Sequence, residues 1–292
     1  MCSETARCPN PANQNYGDTP KRECPLGVFM DIITSRDNNK IKYIRNLNLK
    51  KFRDKENAFV LEGIKFVYEA LNEGADMKLL LVSEEVLDNN EVKRLMASMD
   101  NNKVFMCSAE VFRSATDTVN AQGVLAVINK NTAVQNDIID KHNFIIMCDR
   151  IQDPGNLGTI IRSADAFGPA ALIMNKGCAD AYNPKLVRAS AGAIFRVPFI
   201  YSESDIEILN ILKDRGFYLV TTVVDSEYTF ENMGNRSKIC LVIGNEGQGV
   251  AEHIINNSDM ALTIKMTGKA ESLNASVAAG ISIYEIRKKL LK

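Results

Sequence analysis

Short apolar runs alternate with amphipathic stretches along most of the chain. Residues 58–63, 78–82, 103–106 and 123–128 read as strands. Helical patterns through residues 69–71, over about 89–99 and from Ser108 fill the gaps between them. That alternation predicts a small α/β domain over residues 30–128. Residues 129–143 are polar apart from Ile138 and Ile139 and are expected to form a linker. A second α/β domain is expected over residues 144–292. Its strands are residues 144–148, 170–174, 197–200, 218–222, 239–243 and 261–264, and its helices lie at 156–167, around 184–188, at about 204–214 and from near Ser272 to the end. Uninterrupted apolar strands separated by helices imply a parallel sheet covered on both faces. Residues 1–29 carry Pro, Asn, Gly and Cys without periodicity and are expected to be a disordered leader, with Met30 opening the foldable sequence.

Composition narrows the chemistry. The 292 residues carry a formal net charge of −1, so any nucleic-acid surface must come from local clustering. One such cluster is the stretch 36–55, where Lys40, Lys42, Arg45, Lys50, Lys51 and Arg53 outnumber the nearby acids. Its two readings are a solvated helix face and a phosphate-contacting element. No apolar run is long enough to cross a bilayer, so no membrane partner is expected. Seven scattered cysteines without a Cys-x-x-Cys are expected to be buried reduced thiols of a cytoplasmic protein. With only His142 and His253 available, no metal site and no Ser-His-Asp apparatus is expected.

Three phrases carry the candidate chemistry, each between a strand-like run and a helical pattern. They are Asp153–Gly158 running on to Arg162, Ile243–Gly249, and Ile264–Gly268 followed by Ser272–Ser276. Loops at the carboxyl ends of sheet strands are where open α/β folds place ligands. The glycines of the second phrase are spaced G-x-x-G-x-G, which is neither a dinucleotide fingerprint nor a Walker loop. Taken singly, each phrase has a plainer reading. Asn156 suits a helix N-cap, Arg162 could pair with Asp165, and Glu246 could be a solvated acid near a helix start. In the last helix Leu273, Val277, Ile281 and Tyr284 share one face, while Ile283 and Ile286 lie elsewhere. This fits burial on more than one side, within the chain or against a second subunit.

Together the phrases resemble the motifs of the SpoU/TrmH-type RNA ribose 2′-O-methyltransferases of the SPOUT superfamily. Asn156 to Arg162 with Ala164 resembles the first motif, Gly244-Asn245-Glu246-Gly247 the second, and Ile264, Met266, Gly268 and Ser272 to Ser276 the third. Residues 185–198, with Arg188, Ser190, Gly192, Ala193 and Arg196, are also similar to the family. Residues 30–128 resemble the small ribosomal-protein-like domain that precedes the catalytic domain in many members. Lys265 departs from the pattern, where a proline commonly follows the isoleucine.

The resemblance implies an α/β fold with a C-terminal trefoil knot and a homodimer. It implies S-adenosylmethionine as cofactor, held by Thr222, Ile243, Gly244, Ile264, Met266 and Leu273. The catalytic set it implies is Arg162, Asn156, Glu246 and Asn274. A guanidinium stays charged in proteins, so Arg162 is expected to orient the 2′-hydroxyl or a phosphate rather than to accept a proton. RNA contacts are expected from Lys40, Lys42, Arg45, Lys50, Lys51, Arg53 and Arg188. Ribosomal RNA is the expected substrate, because the N-terminal domain resembles that of the family's rRNA enzymes. A tRNA enzyme and a non-catalytic RNA-binding or ribosome-assembly protein of the same fold are the alternatives.

Overall fold

The computed structural model describes residues 21–23, 29–116, 118, 121–131, 135–168 and 170–290. The chain forms two six-stranded sheets. The first contains β1 (Lys21–Glu23), β2 (Phe29–Ile33), β3 (Ala58–Glu62), β4 (Met77–Ser83), β5 (Val104–Cys107) and β6 (Val124–Asn129), in the order β1-β2-β5-β4-β6-β3. It is mixed: β5 pairs parallel with β2 and β4, whereas β6 pairs antiparallel with β4 and β3. Helices α1 (Asn39–Asn46), α2 (Lys50–Glu56), α3 (Ile64–Asn72), α4 (Asn90–Ala97) and α5 (Ala109–Ala115) accompany it.

The leader is not wholly irregular, since Lys21–Glu23 pairs antiparallel with residues 29–31. Most of the leader lies outside the described residues. The basic stretch forms two helices rather than one continuous element. Leu47 is buried between them, and Asn57 ends α2 in the left-handed conformation. The expected linker is also ordered in part. Helix α6 (Gln135–Lys141) buries Ile138 and Ile139 in the core of the second half.

The second sheet is parallel throughout, in the order β12-β10-β11-β7-β8-β9. Its strands are β7 (Phe144–Cys148), β8 (Ala171–Asn175), β9 (Phe199–Ser202), β10 (Tyr218–Thr222), β11 (Ile239–Ile243) and β12 (Met260–Leu262). All residues of β7, β8 and β11 are buried, as strands covered on both faces require. Helices α7 (Pro154–Ala166), α8 (Pro184–Ala189), α9 (Asp205–Asp214), α10 (Glu252–Asn257) and α11 (Ala275–Leu290) cover it.

The start of α7 is set by its sequence. The Asp153 side chain accepts from the Asn156 N–H, and Pro154 takes a first-turn position where its missing N–H costs nothing. Asn156 is therefore inside the helix rather than its cap. Helix α11 starts at Ala275, and the Asn274 carboxamide oxygen accepts from the N–H groups of Ser276 and Val277.

The two halves share one apolar core. Phe59 of β3 meets the Tyr182 ring at 4.7 Å between centroids, and one buried cluster runs from the first sheet into the second. Polar ties reinforce this junction. Arg53, 3% exposed, donates through Nε and Nη2 to Asp180 Oδ2, and through Nη1 to the carbonyls of Leu47 and Asn48. Arg53 is thus a buried bracket between the halves and cannot contact RNA, which corrects its expected role. It sat in a run of exposed cations, and nothing in that spacing distinguished the one that turns inward.

Candidate functional site

The segment after β11 folds back on itself at the carboxyl end of the second sheet. Asn245 and Gly249 exchange backbone hydrogen bonds at 3.1 and 3.0 Å, with Gly249 at φ +67°. The Asn245 side-chain oxygen accepts from the N–H groups of Gly247 and Gln248. Gly244 lies at the neck of this loop. A Cβ placed there would stand 2.2 Å from the Val250 nitrogen and 2.3 Å from the Gly249 carbonyl carbon, so no side chain fits.

A second brace comes from the end of β7. Asp149 is fully buried, accepts two hydrogen bonds from Arg150, and also accepts the Ala251 N–H at 2.8 Å. Arg150 has the left-handed φ of 54°, unusual for a non-glycine residue. That backbone turns its guanidinium onto Gln248 Oε1 and the Gly249 carbonyl, at 3.0 and 3.3 Å. The Asn245 carboxamide donates to the Arg150 carbonyl in return. Hydrogen bonding to Asp149 raises the Arg150 pKa still further. Neither residue of this pair is marked by a motif in the sequence. The available signal was position alone, because two charged residues directly follow a buried strand at the ligand end of the sheet.

The folded loop walls a cavity of about 410 Å³. Thr222, Ile243, Gly244, Ile264, Met266 and Leu273, all expected around a cofactor, line it. They come from the ends of β10 and β11 and from the segment between β12 and α11. The volume is within the usual range of small-molecule pockets. The donor set also fits S-adenosylmethionine: apolar side chains for flat burial of an adenine, and glycine-rich backbone that approaches a ligand closely. Ile243 to Val250 and Ile264 to Leu273 would hold it.

At the rim, the three phrases join through side chains. Asn156 Nδ2 donates to Glu246 Oε1 at 2.9 Å, and Asn274 Nδ2 donates to Asn156 Oδ1 at 3.0 Å. Each Asn uses its amide in one defined orientation, and Asn274 also caps α11. Arg162 is not in this chain and does not line the cavity. It lies six residues beyond Asn156 on α7, roughly 9 Å along the axis at 1.5 Å per residue. It is exposed and has no hydrogen-bond or ion-pair partner among the described residues.

The remaining expected RNA contacts differ among themselves. Arg45, Lys51 and Arg188 are exposed, and Arg188 lines a small crevice with Asn48 between the two halves. Lys42 pairs with Asp37 and Lys50 with Asp54, both at the surface. Lys40 lies over the Phe105 ring at 4.4 Å.

Other polar chemistry is sparse. Burial pushes the Cys107 thiol up to about 12 and Cys178 to about 11, so both stay protonated at neutral pH. Among the described residues, no helix is long and apolar enough to cross a membrane.

Comparison with known proteins decides the family. Residues 143–284 match the SpoU rRNA Methylase family, and residues 38–126 match the MRM3-like substrate binding domain. Over 259 residues the chain is 32% identical to the 23S rRNA (guanosine(2553)-2'-O)-methyltransferase RlmP of Bacillus subtilis, covering 88% of this chain and 100% of that protein. The chain belongs to the SpoU rRNA methylase family. Two solved structures have the same architecture. The AdoMet-bound rRNA methyltransferase from Sinorhizobium meliloti is 29% identical with a TM-score of 0.80, over 90% of this chain and 99% of that one. The SpoU methyltransferase AviRb from Streptomyces viridochromogenes, in complex with AdoMet, is 26% identical with a TM-score of 0.79, over 87% and 99%. This SpoU methylase is an RNA 2′-O-ribose methyltransferase, and its cofactor is S-adenosylmethionine.

Proposed function

We propose that the protein methylates a ribose 2′-hydroxyl of ribosomal RNA in the cytoplasm. We also propose that the cofactor lies in the cavity behind Gly244 and that Arg162, farther along α7 from the rim, meets the RNA. The observation that carries this reading is the hydrogen-bonded chain Glu246–Asn156–Asn274. It ties together three loops that are far apart in sequence, at the mouth of a backbone-lined hollow. The resemblance of the bacterial 23S rRNA enzyme over its whole length supports the choice of ribosomal RNA.

When bound, the cofactor supplies an activated methyl group on a sulfonium. The residues of the chain supply alignment. Glu246 and Asn274 fix the Asn156 carboxamide from opposite sides, which gives the rim a defined pattern of donors and acceptors for a ribose edge. Arg162, exposed and without a partner among the described residues, is free to hold a phosphate or to stabilise negative charge growing on the 2′-oxygen. The exposed Arg45, Lys51 and Arg188 supply phosphate contacts that carry the RNA across the junction of the two halves. The reading includes the family's trefoil knot in the C-terminal part.

The active unit is a homodimer. Val277, Ile281 and Tyr284 form a stripe along α11 that is 37–49% exposed, and Tyr284 meets Phe167, itself 39% exposed, at 5.5 Å. Contiguous exposed apolar side chains on a helix mark an interaction face, and a face on one copy meets its equal in a two-fold pair. Val277→Glu is expected to give monomers in light scattering, whereas an unchanged dimer would place the interface elsewhere. Mapping 2′-O-methyl groups in total RNA with and without the gene tests the activity. Loss of one ribosomal ribose methyl is expected, and an unaltered ribosomal RNA map would refute the substrate assignment.

A further inference from the structure

Asp165 lies three residues beyond Arg162 on α7, a spacing at which a carboxylate and a guanidinium meet on a helix surface. They do not meet here, and Asp165 is held by another guanidinium. Arg196 Nε donates to both Asp165 oxygens at 3.1 Å, and Nη2 donates to Oδ2 at 2.8 Å. The remaining nitrogen of the same guanidinium, Nη1, donates to Glu69 Oε1 at 2.6 Å and to Glu73 Oε1 at 3.4 Å. Glu69 is on α3, and Glu73 caps its C-terminus.

The Arg196 side chain is 30% exposed, so solvent screens this cluster only in part. Asp165, and then Glu69, hold the Arg196 pKa above its ordinary value. The turn that delivers Arg196 is shaped for the contact. Ala191 and Gly192 both have positive φ, at 47° and 85°, and any Cβ on Gly192 would collide with the Glu69 carboxylate. Arg196 thus follows a turn with two consecutive left-handed residues.

We propose that Arg196 is a positioning residue for the methyl-transfer reaction. By occupying Asp165 it keeps the Arg162 guanidinium free for RNA. Through the same guanidinium it makes that freedom depend on α3 of the first half being docked. The proposal rests on the reading of Arg162 as the group that faces the ribose. Without Arg196, three neighbouring carboxylates lose their common cation, and Arg162 is the cation one helical turn from Asp165. A surface pair of this spacing is weak, so capture is partial.

The test is steady-state methylation of ribosomal RNA by the full-length protein, with melting temperature and cofactor affinity measured alongside. Arg196→Gln is expected to lower kcat by roughly three- to tenfold and to leave the S-adenosylmethionine Kd unchanged. Adding Asp165→Asn removes the competitor and is expected to return kcat to within about twofold of the parent. The RNA KM is expected to stay raised in that double variant, because α3 remains untied. Glu69→Gln with Glu73→Gln breaks only the α3 contact and is expected to act on the RNA KM.

A merely structural Arg196 would give parallel losses of kcat and melting temperature, without kcat rescue by Asp165→Asn. That outcome, or a normal kcat in Arg196→Gln, overturns the proposal. Arg162→Ala measured in parallel separates the two ideas. If it retains full rate, the reading of Arg162 fails. If it is inactive while Arg196→Gln turns over normally, only the role of Arg196 fails.

Discussion

Asn156 Nδ2 and Glu246 Oε1 lie 2.9 Å apart although 90 residues separate them in the chain. One belongs to the first turn of α7 and the other to the loop after β11, so their contact aligns two strand ends at once. The Asn156 oxygen is taken by Asn274, and the carboxamide therefore acts as both donor and acceptor. Asn156→Asp keeps the shape and reverses the chemistry, setting a second carboxylate against Glu246. Methylation is expected to fall at least about tenfold, with a stability loss of roughly 1 kcal/mol for the one hydrogen bond broken, that to Glu246, since an Asp oxygen still accepts from Asn274. Activity and chemical denaturation of the variant check this, and unaltered activity would show that the contact is incidental.

The brace from β7 holds the loop that walls the cavity. Arg150→Ala releases Gln248 and Gly249 and leaves buried Asp149 without its ion-pair partner. Weaker S-adenosylmethionine binding, by about tenfold or more, is expected from losing a charged hydrogen-bond set. Destabilisation near 3 kcal/mol is expected from an unpaired buried charge. Calorimetry with the cofactor reads the first effect and thermal unfolding the second.

Gly244→Ala addresses the loop neck directly. Its Cβ would overlap backbone atoms of Gly249 and Val250, which cannot move aside as the end of a flexible side chain would. The variant is expected to fold, since the clash is confined to a surface-facing loop, and to lose measurable cofactor binding. Normal binding would mean that the loop opens differently when occupied.

Lys51 and Arg53, neighbours in one basic run, are expected to behave in opposite ways. Lys51→Ala removes an exposed charge and should raise the RNA KM by roughly threefold, with an unchanged melting temperature and a shallower salt dependence. Arg53→Ala leaves the nearly buried Asp180 without its ion-pair partner, with only the Tyr182 N–H still donating to its carboxylate among the described residues. It should cost about 3 kcal/mol of stability.

Acid stability has one readable contributor. The Lys185 ammonium, and then the Asn156 N–H, hold the Asp153 carboxyl below the ordinary carboxylate range. A depressed folded-state pKa means stability that is present above the unfolded value of 3.8 and is lost as pH falls through the lower folded value. Asp153→Asn should therefore lower stability above about pH 4, where the charged contact with Lys185 is lost, and meet the parent curve at lower pH, with the helix cap itself retained by Asn. Denaturant midpoints between pH 2 and pH 7 would show this.

Much of the architecture was legible because buried parallel strands read as unbroken apolar runs, as in 144–148 and 239–243. The six positions that line the cavity were expected at a ligand site through motif resemblance, since strand ends followed by glycines say only that some ligand is near. Three features were not legible. Arg53 looked like its exposed neighbours, because burial of one cation depends on Asp180, which is 127 residues away. Asp149 and Arg150 matched no motif and act through a left-handed backbone that side-chain spacing does not encode. The boundary between the halves was blurred by Phe59 and Tyr182, which pack across it.

Arg162→Ala, assayed for methyl transfer to ribosomal RNA with cofactor affinity measured on the same sample, is the most direct test. A rate at least about a hundredfold lower, with an unaltered S-adenosylmethionine Kd, is expected if that guanidinium serves the reacting oxygen. A near-normal rate would contradict the central claim and remove Arg162 from the chemistry.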